Sequence, residues 1–138
     1  MSLESNKQIA RSFFERLHAR DIPGALNTLS DDVSYWIIGR REVIPSSGTH
    51  NKERMAWMFA QMMERLDNGM DMTIKNVIAE GDQVALEVES YGPLKNGRVY
   101  NNQYHMLMRV RDDKIIEVKE YLDTQHVYET WYAREGEQ

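Results

Sequence analysis

The chain of 138 residues contains no cysteine, which rules out disulfides, thiolate nucleophiles and thiolate metal sites. Proline is limited to three residues, and no stretch rich in Pro, Gly or Ser reads as a linker between domains. No apolar run approaches the length of a membrane span, and no N-terminal segment has the order of a secretion signal. Basic excess is missing too: the net charge of −5, with no basic run, argues against a nucleic-acid binder. His18, His50, His105 and His126 show no metal-ligand spacing. No serine sits in a nucleophile elbow, and no glycine-rich loop could cradle a phosphate. These absences predict a cytoplasmic protein with no metal or cofactor and neither a membrane nor a nucleic-acid partner.

With 41% hydrophobic and 28% charged residues, the composition is that of an ordinary globular chain. The expectation is one domain over residues 1–138, ordered from about 5 to 132 and ending in a charged tail, with room for a core and a modest pocket.

Arg98 to Asp123 organises the rest. It reads as two long strands, Arg98–Val110 and Ile115–Leu122, around a turn at Arg111–Lys114. Side chains alternate along a strand, so Ile116, Val118 and Leu122 share a face, and Glu120 falls among them. A carboxylate there loses hydration, so its pKa should rise or it should find a partner. A three-residue loop, Asp112–Lys114, keeps the apolar sets together by pairing Val110 with Ile116, Met108 with Val118 and Met106 with Glu120. The Tyr104 hydroxyl then lies diagonally within reach of Glu120.

Upstream, Ser5 with Gln8 gives a capping-box start to a helix whose apolar stripe is Ile9, Phe13 and Leu17. Asp21 and Pro23 open a short second helix, which Asp31-Asp32 ends before a strand over Val33–Ile38. Thr49 or Asn51 caps a third helix with Met55, Met58, Phe59, Met62, Met63 and Leu66 on one face. Trp57 points away from that stripe, as a partly exposed side chain or as a lid or subunit contact. Strands at 70–79 and 83–91 follow, then the Asn96-Gly97 hairpin signal, and Asp123 caps a last helix to about Tyr132. Helices followed by a meander of strands predict an α+β fold, with the N-terminal helices packed on a strongly curved antiparallel sheet that forms a cone-shaped pocket.

A two-residue loop at Asn96-Gly97 pairs Glu87 with Met106 and Glu89 with Tyr104. Glu87, Glu89, Tyr91, Asn102, Tyr104, Met106, Val118 and Glu120 would then line the concave face, and two carboxylates in a dry pocket would separate into an acid and a base. The opposite orientation, with Leu86 and Val88 inward and both glutamates in water, satisfies alternation equally well.

The element order resembles the SnoaL-like branch of the NTF2-like (ketosteroid-isomerase-like, cystatin-like) superfamily. The most specific pieces are Ala85-Leu86-Glu87-Val88-Glu89-Ser90-Tyr91-Gly92, Tyr100-Asn101-Asn102-Gln103-Tyr104 and Glu120-Tyr121-Leu122-Asp123-Thr124. Asn96-Gly97 and Lys114-Ile115-Ile116-Glu117 add to them. The resemblance implies a small hydrophobic ligand and a homodimer through the outer sheet face. It also carries the acid/base aspartate of polyketide cyclases onto Glu120. The base of steroid isomerases falls on Ile37, and their oxyanion-hole pair on Phe13 and Tyr104, which removes most of that chemistry. Of an epoxide-hydrolase-like site, Tyr35, Glu89 and Glu120 match, while its asparagine falls on Ile37 and its arginine on Glu87. The expected enzyme is a cofactor-independent isomerase, cyclase or hydrolase, with Glu120 and Tyr104 catalytic and Phe13, Tyr35, Ile37, Met58 and Met62 among the lining. A non-catalytic pocket for a small ligand and a dimeric interaction module are the alternatives.

Overall fold

In the computed structural model, which describes residues 2–134, helix α1 spans Leu3–His18. It starts one turn before the expected Ser5. Ser2 is the cap, its hydroxyl accepting from the Ser5 amide at 3.0 Å, and Ser5 returns the contact to the Ser2 amide at 3.2 Å. Ala10, Phe13, Phe14 and Leu17 form its buried stripe. Helix α2, Ile22–Asn27, is capped by Asp21 with Pro23 in its first turn. Strand β1 covers Leu29–Ile37, so Asp31-Asp32 lies inside it, exposed at an irregularity between Leu29 and Ser34.

Short strand β2, Gly48–His50, leads to helix α3, Lys52–Arg65, where the Asn51 side chain accepts from the Arg54 amide at 2.8 Å. Then come β3 (Asp71–Glu80), β4 (Gln83–Pro93), β5 (Val99–Tyr100), β6 (Gln103–Arg111) and β7 (Lys114–Leu122). The long strand expected from Arg98 is thus broken at Asn101-Asn102, where the buried Asn102 side chain holds the backbone of Gln103 and Asp123. Helix α4, Thr124–Val127, is capped by Asp123 and runs into a π-helical turn, Tyr128–Tyr132. Of the charged tail expected beyond, residues 135–138 lie outside the described residues.

The α+β class holds, but the expected antiparallel cone does not form. The sheet is mixed: β1 runs parallel to β7, while the other pairs are antiparallel. Its order, β2-β1-β7-β6-β4-β3, ends in two different strands that do not pair with each other, so the sheet stays open. The reason for the mixed sheet is topological: β1, the first long strand, lies beside β7, the last, and a meander of hairpins alone cannot supply that parallel neighbour.

Two turns set which side chains face the helices. At Asp112-Asp113 both residues have positive φ, 52° and 62°, the geometry of a type I′ turn, and Arg111 pairs with Lys114. The loop is therefore one residue shorter than expected. Parity is restored by a bulge: Val110 pairs with Ile115 but Arg109 with Glu117, so Met108 still meets Val118 and Met106 meets Glu120. At the other hairpin, Leu94 and Arg98 are joined across Lys95-Asn96-Gly97, with Gly97 at φ 92°. That three-residue loop shifts the register so that Leu86 meets Met106 and Val88 meets Tyr104. Leu86 and Val88 are buried, and Glu87 and Glu89 point to the other face.

Candidate functional site

Between the inner sheet face and the helices lies a cavity of about 330 Å³. Phe13 of α1, Tyr35 and Ile37 of β1, Met58 and Met62 of α3 and Tyr104 of β6 line it, and Glu120 of β7 opens onto it. These are seven of the expected pocket residues. Five others are elsewhere. Met106 and Val118, 1% and 0% exposed, are sealed in the core beneath the wall, because the sheet has no cone mouth at that depth. Asn102 stands behind the wall, bonding Tyr100 and the Asp123 carbonyl. Glu87 and Glu89 are corrected by the one-residue register shift. Glu87 is exposed, and Glu89 pairs with Lys75 at 3.0 Å and accepts from Asn101 at 2.9 Å, which holds its carboxyl below the usual range.

Glu120 reaches the cavity because the bulge in β7 turns Val118 and Glu120 together onto the inner face, opposite Met108 and Met106. Ile37 lies beside it on β1, and the Tyr35 hydroxyl donates to its Oε1 at 2.7 Å. Dehydration by the surrounding protein pushes the Glu120 pKa up to about 7, against the opposing pull of that hydrogen bond. Part of the residue surface remains open to the cavity. Tyr35 itself is 2% exposed, and burial together with the Glu120 charge holds its hydroxyl pKa well above the usual range.

Tyr104 does not bond Glu120 as expected. Its hydroxyl donates to the Tyr100 hydroxyl at 2.8 Å, and Asn102 Nδ2 donates to the same Tyr100 oxygen at 3.1 Å. With Tyr104 donating, the Tyr100 hydroxyl hydrogen is not used in that bridge, and both tyrosines line the cavity. Both hydroxyls are pushed up in pKa, first by burial, and the nearby Glu120 charge adds to this. They remain proton donors at any ordinary pH. Tyr100 stands outside the expected site residues, although the Tyr100-Asn101-Asn102-Gln103-Tyr104 motif contains it; the break between the motif's ends brings its two hydroxyls together. Trp131 and Val127 close the cavity from the last turns of the chain. Trp57, 51% exposed, stands at its rim under the Arg54 guanidinium at 4.4 Å.

Among the described residues, no three His, Cys, Asp or Glu side chains gather where they could share a metal ion, and no helix is long and apolar enough to cross a membrane. Asp123 spends its carboxylate on the His126 amide as the α4 cap.

An open mixed sheet under helices, with one carboxyl and a tyrosine pair facing an apolar cavity, defines a protein of NTF2-like architecture. The chain belongs to the SnoaL-like domain family, whose profile matches residues 10–118. No curated protein matches it. Among solved structures it is similar to an NTF2-like protein of unknown function from Burkholderia pseudomallei, at 21% identity and a TM-score of 0.81 over 96% of this chain and 100% of that one. TerC, co-crystallized with polyporic acid, matches at 20% identity and a TM-score of 0.79, over 91% and 97% of the two chains. An LEH-like epoxide hydrolase from M. tuberculosis matches at 19% and 0.75, over 93% and 90%. At such identities these likenesses show the fold alone, and the superfamily includes enzymes as well as proteins without known activity.

Proposed function

We propose that the chain is a small enzyme that acts without a cofactor on a small hydrophobic substrate, with Glu120 as general acid/base and the Tyr100–Tyr104 pair as hydrogen-bond donor. The observation that carries this reading is that Glu120, with a pKa of about 7, is the one carboxyl among the described residues lining an apolar cavity. Near neutral pH both its forms are populated, so the group can take a proton and return it. A tyrosine hydroxyl that stays protonated can polarise a carbonyl or hold charge developing on its oxygen.

With Glu87 and Glu89 outside the cavity, a second carboxyl cannot share the work. One group that removes a proton and returns it suits isomerisation or ring closure better than addition of water. Hydrolysis, which the M. tuberculosis relative's name suggests, is further disfavoured by the apolar Ile37 beside Glu120, where an epoxide-hydrolase-like site would carry its water-holding asparagine.

The test is deuterium exchange from heavy water into a panel of small cyclic ketones, followed by proton NMR. The wild type should accelerate exchange next to the carbonyl, with a rate that rises with pH and levels off above about 7 as the carboxylate form fills. Glu120→Gln should lose about 100-fold or more of the rate while still binding the ketone. Binding without exchange in the wild type supports a second reading, a non-catalytic pocket for an apolar ligand, which the predominance of apolar side chains in the wall favours.

A further inference from the structure

A second recess, of about 400 Å³, opens beside the cavity and is lined by Arg41, Pro45, Thr49, His50, Asn51 and Arg54. Pro45 and Arg54 belong to both walls, so the two spaces meet at the cavity rim. The recess is basic, and both of its arginines are exposed. Neither Arg41 nor Arg54 is ion-paired with a carboxylate among the described residues, although eight such pairs form elsewhere in the chain. Arg41 donates only to the Ser47 carbonyl, at 3.2 and 3.3 Å, and Arg54 is held over the Trp57 ring at 4.4 Å.

His50 stands between them and is 5% exposed. Its Nε2 lies 2.7 Å from the Ser46 carbonyl oxygen and therefore carries a hydrogen, while Nδ1 has no partner among the described residues. Burial lowers the His50 pKa, and the charges of Arg41 and Arg54 lower it further. The same recess includes Asn51, the cap of the 14-residue helix α3, so the positive end of the helix dipole adds to the field. Glu53, in that first turn, forms no ion pair with either arginine.

We propose that Arg41, Arg54 and His50 form an anion subsite at the cavity rim, so that the bound molecule places an apolar body in the cavity and a carboxylate, sulfonate or phosphate head in the recess. This inference rests on the cavity being the ligand site, and it narrows the substrate class to amphiphilic anions. Arg54 would clamp the head at the junction, where its guanidinium can offer two parallel donors to an oxyanion. His50 would take up a proton as the anion enters, since the charge that then faces Nδ1 favours the imidazolium.

The test uses two fluorescent probes with the same aromatic body, anilinonaphthalene sulfonate and uncharged phenylnaphthylamine, titrated into the full chain at neutral pH. Arg54→Gln should weaken the sulfonate probe by about tenfold and leave the uncharged probe unchanged. Arg54→Lys should recover part of the loss. Arg111→Gln, at the exposed end of β6 and outside both walls, should change neither titration. Added salt should weaken the sulfonate probe alone. Equal response of the two probes to Arg54→Gln, or an equal loss on Arg111→Gln, overturns the subsite while leaving the cavity reading intact. Failure of both probes to bind the wild type overturns the cavity reading and the subsite with it.

Discussion

Glu120 is where the sequence departs from pattern, and the structure gives that departure a thermodynamic consequence. Its pKa is raised from 4.5 to about 7 in the folded chain, so this group favours folding most when it is protonated. Its contribution is intact below the unfolded value and is lost as pH rises through about 7. Each tenfold change in acid strength is worth about 1.4 kcal/mol, and the solvent that enters through the cavity screens part of it. Glu120→Gln should therefore match the wild type in urea unfolding at about pH 4 and exceed it by about 2 kcal/mol at pH 8. Equal differences at the two pH values would mean that Glu120 is solvated. Tyr35 supplies the one contact that favours the carboxylate form, so Tyr35→Phe should move the Glu120 pKa further above 7, read by carboxyl-carbon NMR. An unchanged or lowered value would show that the Tyr35 hydroxyl does not donate to Glu120.

At the scale of elements, turns decide the site. Gly97 sits at φ 92°, and a Cβ there would meet nothing within 4 Å. Gly97→Ala should then cost about 1 kcal/mol from backbone strain alone, measured as a shift in urea midpoint with the slope unchanged. A cost near zero would mean that the loop rearranges freely and does not fix the register. Here the limit of the sequence shows most clearly. Asn96-Gly97 marked a turn correctly, but the dipeptide does not say whether two or three residues close the loop, and that single residue decides where Glu87 and Glu89 point. The Asp112-Asp113 turn went the opposite way. The apolar pairing of Met108 with Val118 was legible, yet the chain achieved it with a tight turn plus a bulge where the pattern alone suggested a longer loop. Glu120 could be found because its strand neighbours were apolar on either side. Its hydrogen bond to Tyr35, 85 residues away in the chain, could not, because it depends on β1 lying parallel to β7, a pairing that leaves no local trace.

For the whole molecule, an open sheet roofed by helices leaves apolar surface around a single carboxyl among the described residues, so ligand binding and protonation are linked. A neutral apolar molecule entering the cavity displaces the water that solvates the Glu120 carboxylate and offers no counter-charge. It therefore raises the Glu120 pKa, and by reciprocity protonated Glu120 must bind that molecule more tightly. Uncharged phenylnaphthylamine should accordingly bind more strongly at pH 6 than at pH 8, by up to about tenfold for each pKa unit that its binding adds. The gain in thermal stability it confers at fixed concentration should shrink over the same interval. In Glu120→Gln both trends should vanish, since no proton is exchanged there. A pH dependence that survives in Glu120→Gln would assign the linkage to another group. If the wild type shows no trend, the carboxylate remains hydrated when the cavity is full, and a group solvated in that way would not have the strength as a base that the proposed chemistry requires.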